Sequence, residues 1–343
     1  MCLRITVLYN APEHSRYDDL GESKAVFGVL EAVEAVNNAL INLKYPTTLV
    51  PLSPPVEEAR RTIQSLKTEL VFNLFEGFGG KPETEAAVAR MLEEKGIAFT
   101  GNPSHVLGLA LDKVKTKAVL EAAGIAAPKF QVLEPETIVR FRLRFPCIVK
   151  PCGEDASHGI SEDSVVHNIM ALERQVARVS RLYHGRALVE EYIDGREFNA
   201  TVMGNYDTQV LPPSEIVYSL PPGKPKILTF GSKWEPSDLY YGCTKPVCPA
   251  EITPEKQAQI ARVAKAAFLA IGCRGYARVD MREDLNGHIK VLEINPNPDV
   301  SPGTGAAIQA EAAGMTYEQF VQKLLDLALE ASACEYSHSS PSC

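Results

Sequence analysis

The sequence predicts an α/β protein with two or three domains. The chain has 343 residues, which is enough for each domain to bury its own core. Strand-like and helix-like segments alternate through the first hundred residues, and this alternation indicates a parallel sheet with helical crossovers. Two charged strand-like segments near the C-terminus, residues 276–281 and 289–295, predict a second sheet that carries functional residues.

Residues 1–102 are predicted to form the first α/β domain. Pro82 suits the first turn of a helix, and Gly96 suits its end. No G-x-G-x-x-G sequence follows the first strand, which argues against a Rossmann-type dehydrogenase. The predicted strands are residues 3–9, 48–52 and 69–75, and the predicted helices are residues 24–41, 56–67 and 82–95.

Two further units are predicted, at residues 103–187 and 188–330. The third unit is expected to begin with a hairpin of residues 187–193 and 198–203. Residues 211–250 are rich in proline and are predicted to be irregular, and the small, polar tail at 331–343 is predicted to be disordered. The other predicted elements are helices at 112–123, 165–182, 254–272 and 316–329 and strands at 145–150, 276–281 and 289–295.

The composition is that of an ordinary globular enzyme. A net charge of −8 argues against a general nucleic-acid surface. No apolar run approaches the roughly 20 residues of a membrane span, and the N-terminus is too strand-like for a signal peptide, so we expect a cytoplasmic protein. The eight cysteines are scattered without zinc-site spacing and are interpreted as reduced thiols.

The most informative local pattern is a pair of strand motifs, Arg278-Val279-Asp280 and Glu293-Ile294-Asn295, in which Glu293 follows Asp280 by 13 residues. Side chains alternate across a strand, so Glu293 and Asn295 share one face, as do Arg278 and Asp280. Oxygen-bearing side chains beside an arginine suit Mg²⁺ that already holds phosphate oxygens. A solvated strand end is the better interpretation for each acid alone, but the combined spacing favours nucleotide triphosphate chemistry.

Other candidate residues are weaker when taken singly. Lys150 ends an apolar strand before a loop of small residues suited to phosphate, although a solvated lysine is an equally good interpretation. Glu190 lies among apolar residues and needs a donor such as an adenine amino group. Glu197 suits ribose hydroxyls or a charged strand edge. A solvated helix face adequately explains Lys113 and Lys117.

Five motifs in the same order resemble the ATP-grasp ligases and, more narrowly, the D-alanine–D-alanine ligase family. The match extends over about residues 70–330. The motifs are DK at 112–113, FPCIVKP at 145–151, VEEYIDGREF at 189–198, GCRGYARVD at 272–280 and LEINPNP at 292–298. The resemblance implies an ATP-grasp fold with a Rossmann-like N-terminal domain, a central lid and a C-terminal domain, with ATP between the last two.

The resemblance also implies an activity and a set of site residues. A carboxylate would attack the γ-phosphate, and an amine would then displace phosphate from the acylphosphate. Two Mg²⁺ ions, or Mn²⁺ in their place, are expected with ATP, and the family commonly forms homodimers. The implied residues are Lys113, Lys150, Glu190, Ile193 and Glu197 for ATP, Asp280, Glu293 and Asn295 for metal, and Arg278, Lys233 and Ser157 for catalysis.

The sequence departs from the family pattern where the amino-acid substrates would bind. The paired serines of the lid loop become Ala156-Ser157, and Trp234 replaces a tyrosine. Asp299 replaces a glycine, Thr304 stands near a serine position, and Glu22 is only a weak counterpart of the acid that holds the first ammonium group. These changes indicate substrates other than two D-alanines. Within the ligase interpretation, cell-wall D-alanyl-D-alanine synthesis is the conservative alternative and a natural-product ligase of mycosporine type is the divergent one. A non-catalytic nucleotide-binding protein is the third alternative.

Overall fold

The computed structural model describes residues 3–13, 18, 28–154 and 157–339, and these residues contain three β-sheets. The first sheet is parallel, with strand order β2-β1-β3-β4, as the alternation of elements predicts. Its strands are β1 (Ile5–Asn10), β2 (Thr47–Leu52), β3 (Leu70–Leu74) and β4 (Ala98–Phe99), and its helices are α1 (Val29–Asn42), α2 (Val56–Ser65) and α3 (Glu83–Lys95).

Two helices lead from the first sheet toward the site. Asp112 ends the first and caps the second, because its carboxylate accepts a hydrogen bond from the backbone N–H of Lys115. The two helices are α4 (Ser104–Leu111) and α5 (Lys113–Ala122). The buried Leu120 places α5 against the core of the C-terminal sheet.

The second sheet is antiparallel, with strand order β5-β8-β6-β7. The amphipathic helix α6 (Ile169–Tyr183) covers one face with Leu172, Val176 and Val179. The strands are β5 (Phe130–Leu133), β6 (Cys147–Pro151), β7 (Val165–Val166) and β8 (Ala187–Glu191), with 3₁₀ turns at Pro135–Arg140 and Glu162–Ser164.

The third sheet is also antiparallel, with strand order β12-β11-β9-β13-β14 and β10 paired with β9. Its strands are β9 (Glu197–Met203), β10 (Gln209–Val210), β11 (Ser214–Tyr218), β12 (Thr244–Val247), β13 (Tyr276–Glu283) and β14 (Ile289–Asn295). The helices after β11 are α7 (Phe230–Trp234), α8 (Leu239–Cys243), α9 (Pro254–Ile271), α10 (Gly305–Ala312) and α11 (Tyr317–Ser339). No helix in the described part of the chain is long and apolar enough to cross a membrane.

The predicted hairpin between residues 187–193 and 198–203 is wrong. Strand β8 pairs with β5 and β6 in the second sheet, whereas β9 pairs with β11 and β13 in the third. Both strands are almost wholly buried, and each pairs on both sides inside a different sheet rather than with its neighbour in the sequence. We therefore propose that the boundary between the second and third units lies between β8 and β9.

Two other predictions of irregular structure are also wrong in part. Residues 211–250 contain β11, α7, α8 and β12, because their polar backbone groups pair with β9 and with one another. The tail predicted to be disordered instead continues α11 as far as Ser339. Residues 340–343 lie outside the described part.

Candidate active site

The two acidic strands meet as the alternation of their side chains predicts. Across β13 and β14, Arg278 lies opposite Asn295 and Asp280 lies opposite Glu293. Arg278 donates two hydrogen bonds to the Asp280 carboxylate, at 2.7 Å from Nε and 2.8 Å from Nη2. The strand pairing therefore places two carboxylates, an amide and a guanidinium on one face of the sheet.

The charges around these carboxylates move their pKa values in opposite directions. Burial and the neighbouring Glu293 charge raise the pKa of Asp280, and Arg278 opposes them. Burial alone would raise the pKa of Glu293, but Lys113, Lys150 and Lys233 overcome it and lower that pKa. The surrounding cations therefore favour the ionised form of Glu293, and an ionised carboxylate can act as an oxygen ligand for a metal ion.

A cleft of about 820 Å³ opens between the second and third sheets. Charged side chains reach it from both sheets and from the segment between β11 and β12. The lining residues that carry charge are Lys113, Lys150, Glu154, Glu197, Lys233, Asp280, Arg282 and Glu293.

Beside the cleft, Glu190 on β8 is held between two lysines. Lys150 Nζ lies 2.8 Å from one carboxylate oxygen, and Lys117 Nζ contacts the other. Only 1% of the Glu190 side chain and 3% of the Lys117 side chain are exposed. Burial would raise the pKa of Glu190, but the two lysines lower it to about 2. The carboxylate is therefore ionised, and its remaining lone pairs can accept a further donor.

The loop after β6 lines the cleft with Glu154, Ser157 and His158. Ser157 has a φ of +64°, a left-handed conformation that is uncommon for a residue other than glycine and is often found at functional sites. At Gly159 a Cβ atom would lie 2.8 Å from the Tyr183 ring, so the close approach requires glycine. Lys113 Nζ reaches across and donates to the Glu154 carbonyl oxygen.

Helix α7 brings Lys233 to the opposite wall of the cleft. The Phe230 backbone N–H donates to the Ile160 carbonyl oxygen at 3.1 Å, and the Phe230 ring lies 5.5 Å from the His158 ring. Lys233 itself remains exposed to solvent at the cleft. Although the side chain is exposed as a whole, protein atoms crowd around its amine in the cleft, and this partial loss of water together with the charge of Arg278 lowers the pKa of Lys233. The contacts of Phe230 therefore join the lid loop to the segment that carries Lys233.

The predicted substrate residues are not gathered in the same way. Asp299 and Thr304 lie in the loop after β14, and Trp234 follows Lys233 with its indole N–H buried and unbonded within the described structure. The Thr304 hydroxyl donates to the carbonyl oxygens of Asp299 and Ser301, at 3.1 and 2.7 Å. Glu22 lies outside the described residues. Asn295 lies opposite Arg278 on the same face of the sheet as Asp280 and Glu293, and its Oδ1 accepts from the Asn297 backbone N–H at 3.0 Å.

Two residues of the site were not predicted to belong to it. The interpretation of Lys117 as part of a solvated helix face is wrong, because its amine is buried against Glu190. The sequence carried one signal, since Lys117 and the buried Leu120 lie three residues apart and therefore on the same face of α5. Arg282 was overlooked, although it continues the alternation of Arg278 and Asp280 along β13.

A parallel domain followed by two antiparallel sheets, with cations and paired carboxylates facing the cleft between them, defines an ATP-grasp ligase. A family model described as "D-ala D-ala ligase C-terminus" matches residues 119–326. The D-alanine–D-alanine ligase of Desulforudis audaxviator is 32% identical over 278 residues, covering 80% of this chain and 85% of that protein. The chain therefore belongs to the D-alanine–D-alanine ligase family and is an ADP-forming ligase that makes C–N bonds.

Other relatives agree in sequence or in fold. An uncharacterized protein of Sinorhizobium fredii is 36% identical over 284 residues, covering 82% of this chain and 79% of that protein. A D-alanine–D-alanine ligase from Bacillus anthracis, solved in complex with ATP, has a TM-score of 0.74 at 19% identity and covers 98% of this chain and 99% of its own. The VanG D-Ala:D-Ser ligase of Enterococcus faecalis has a TM-score of 0.73 at 20% identity and covers 96% and 100%. These structures confirm the ATP-grasp fold.

Proposed function

We propose that the protein uses ATP to join the carboxylate of one small molecule to the amine of another, and that at least one of them is an amino acid. The observation that carries this proposal is the pairing of Asp280 with Glu293 directly opposite each other, beside Arg278, in a cleft that Lys150 and Lys233 also line. A protein that only bound a nucleotide would have little use for an arginine at the metal carboxylates.

The charges fit a two-step reaction. A carboxylate oxygen attacks the γ-phosphorus of ATP, which forms an acylphosphate and releases ADP. The amine nitrogen then attacks the acyl carbon, loses a proton, and displaces phosphate. Negative charge builds up in both steps, and preorganised cations such as Arg278 and Lys233 stabilise it more effectively than water does.

The nucleotide is assigned to the cations and acids that line and flank the cleft. Lys113 and Lys150 would bind phosphate oxygens, and Glu197 would accept hydrogen bonds from the ribose hydroxyls. Glu190 would accept from the adenine amino group, with the Ile193 backbone beside it. Ser157, in its left-handed conformation, would orient the reacting groups from the lid loop.

The donor set fits Mg²⁺. Asp280, Glu293 and Asn295 offer oxygen ligands on adjacent strands, and no described residue donates a hydrogen bond to the Glu293 carboxylate. The described residues contain no cluster of three or more His, Cys, Asp and Glu side chains suited to a metal. Mg²⁺ accepts such a sparse site because phosphate oxygens and water complete its shell. Two bound ions would neutralise the phosphates during transfer.

The substrates are proposed to differ from a pair of D-alanines. Asp299 is exposed in the loop after β14, at a position where the family has glycine, and its carboxylate accepts a hydrogen bond from the Ser301 backbone N–H at 2.8 Å. A carboxylate there would repel the carboxylate of a second amino acid and would attract an amine. This substitution favours a peptide or natural-product ligase, such as one that adds an amino acid to a mycosporine-type core.

The test is a screen for phosphate release with ATP and Mg²⁺ over amino acids and dipeptides, followed by mass spectrometry of the products. We expect ADP, phosphate and an amide in equal amounts with at least one pair that is not D-alanine with itself. Efficient turnover with D-alanine alone would contradict the substrate proposal. ATP binding without ADP formation over the whole panel would contradict the catalytic proposal.

A further inference from the structure

Arg282 is a buried cation that the two chemical steps do not use. It lies directly opposite Glu197 across β13 and β9, and the two side chains are 5% and 8% exposed. Its Nε donates to Glu197 Oε2 at 3.0 Å, and its Nη2 contacts the same oxygen. The Tyr218 hydroxyl donates to that oxygen at 2.7 Å. No described donor bonds to Oε1 of this carboxylate, which lines the cleft.

The remaining donors of Arg282 bind two backbone carbonyls from different parts of the chain. Nη1 donates to the Ile193 carbonyl oxygen at 2.6 Å, in the connection between β8 and β9. Nη2 also donates to the Lys226 carbonyl oxygen, in the segment that leads into α7. One planar guanidinium therefore joins the third sheet, the link to the second sheet, and the segment that carries Lys233.

Other contacts hold the Lys226 segment against the second sheet. The Lys226 backbone N–H donates to the Tyr192 hydroxyl at 2.8 Å. The Lys224 amine donates to both oxygens of Glu162, at 2.8 and 2.6 Å. The segment thus lies between the two walls of the cleft. Within the described residues, the hydrogen bond from Arg282 to the Lys226 carbonyl oxygen connects this segment to β13.

We propose that Arg282 is a positioning residue that fixes Glu197 for the sugar hydroxyls of a nucleoside triphosphate and at the same time secures the segment that carries Lys233. Binding of the sugar and placement of Lys233 are coupled through this side chain. The sugar half of the inference rests on the proposed function, and the attachment of the segment does not. A lysine at this position would keep the charge beside Glu197 but lacks the planar fork that serves a carboxylate and two carbonyls.

The attachment is tested by trypsin cleavage of the Lys226–Ile227 bond, since the preceding Lys224–Pro225 bond resists trypsin. Arg282→Lys should be cleaved about tenfold faster than wild type, because one hydrogen bond to the segment is worth roughly that factor in the population of the open form. The only tryptophan of the chain, Trp234, provides a second readout, since its fluorescence reports on the same segment. Unchanged cleavage and unchanged fluorescence in Arg282→Lys would overturn the attachment.

The sugar half is tested by comparing KM for ATP with KM for 2′,3′-dideoxy-ATP. Wild type should prefer ATP by about tenfold, and Arg282→Lys should lose most of this preference because Glu197 is no longer held. Tyr192→Phe is the matched control, since it removes a different contact to Lys226. It should speed trypsin cleavage and retain the sugar preference.

The results distinguish failure of the role proposed for Arg282 from failure of the proposed ligase function. Equal sugar preference in wild type and Arg282→Lys would overturn the role of Arg282 at Glu197. If wild type formed no ADP with any substrate pair, the proposed function would fail, and the sugar preference would then be measured as nucleotide affinity. The trypsin and fluorescence results apply in either case.

Discussion

The end of the cleft proposed to bind the nucleotide (the nucleotide end) and the loop after β14 proposed to contact the acceptor (the acceptor end) are built in different ways. At the nucleotide end, Asp280, Glu293 and Arg282 project from paired strands, and the register of β9, β13 and β14 sets which side chains face each other. At the acceptor end, Asp299 and Thr304 lie in a loop and bond mainly to its backbone. Side chains on paired strands are fixed in position, whereas a loop can change without disturbing those strands, so we expect substrate choice to vary more readily than the phosphate chemistry.

The nucleotide end is tested most strongly by the substitution Glu293→Gln. This change keeps the shape of the side chain but removes a charge that several cations surround, so Mg²⁺-dependent turnover should fall about 1000-fold, or about 4 kcal/mol in the barrier. The thermal midpoint should change little. Glu283→Gln is the matched control on the same sheet, where the carboxylate pairs with Lys256 at 2.6 Å. An unchanged rate in Glu293→Gln would remove the metal assignment.

The buried ion pairs of this end predict a large effect on folding. Lys117→Met leaves Glu190 buried with one cation, and the free energy of unfolding should fall by about 3 kcal/mol. Lys115→Met, two residues away with a 72% exposed side chain, should change it by less than about 0.5 kcal/mol. Urea unfolding measures both. Adding Glu190→Gln to Lys117→Met should restore part of the loss, and simple additivity would argue against the pairing.

The same pair predicts a dependence of stability on pH. Because the pKa of Glu190 is lowered from 4.5 to about 2, its ionised form stabilises the fold above pH 4.5, and this contribution is lost as the pH falls toward 2. The difference in unfolding free energy between wild type and Glu190→Gln should therefore shrink over that interval. Glu191→Gln, the next residue, is the control. A difference that stays constant with pH would show that Glu190 is not held ionised.

Substitution at the acceptor end is expected to have the smallest effect on activity. Asp299→Asn removes the charge proposed to select an amine, so the ratio of kcat/KM values for two amine acceptors that differ in charge should change by about tenfold. KM for ATP should stay within about twofold, because the nucleotide end is built on other elements. A larger change in KM for ATP than in acceptor preference would contradict the separation of the two ends.

The sequence was sufficient to predict the features that depend on local periodicity. Alternation placed Arg278 and Asp280 on one face of their strand, and Glu293 and Asn295 on one face of theirs, and the structure pairs them as neighbours. The parallel first sheet followed from the alternation of strands and helices. The alternation of side chains is set within a few residues along each strand, and the parallel pairing follows from the helices that connect successive strands.

Features that depend on long-range pairing were not predictable in this way. Strands β8 and β9 are separated by five residues and look like a hairpin, yet they belong to different sheets because each pairs with two other strands, most of which are distant in the sequence. The burial of Lys117 depends on Glu190, which is 73 residues away. Arg282 lies just beyond the end of the predicted strand, and its ion pair is formed with Glu197, which is 85 residues away in the sequence.

The central claim, that a substrate carboxylate becomes an acylphosphate in this cleft, is tested most directly by oxygen transfer. The substrate acid is prepared with ¹⁸O in its carboxylate and turned over with ATP, Mg²⁺ and an amine found in the screen, and the released phosphate is analysed by mass spectrometry. We predict that each phosphate carries one oxygen from the substrate carboxylate and that ADP forms in equal amount. Unlabelled phosphate, or AMP with pyrophosphate, would contradict the account.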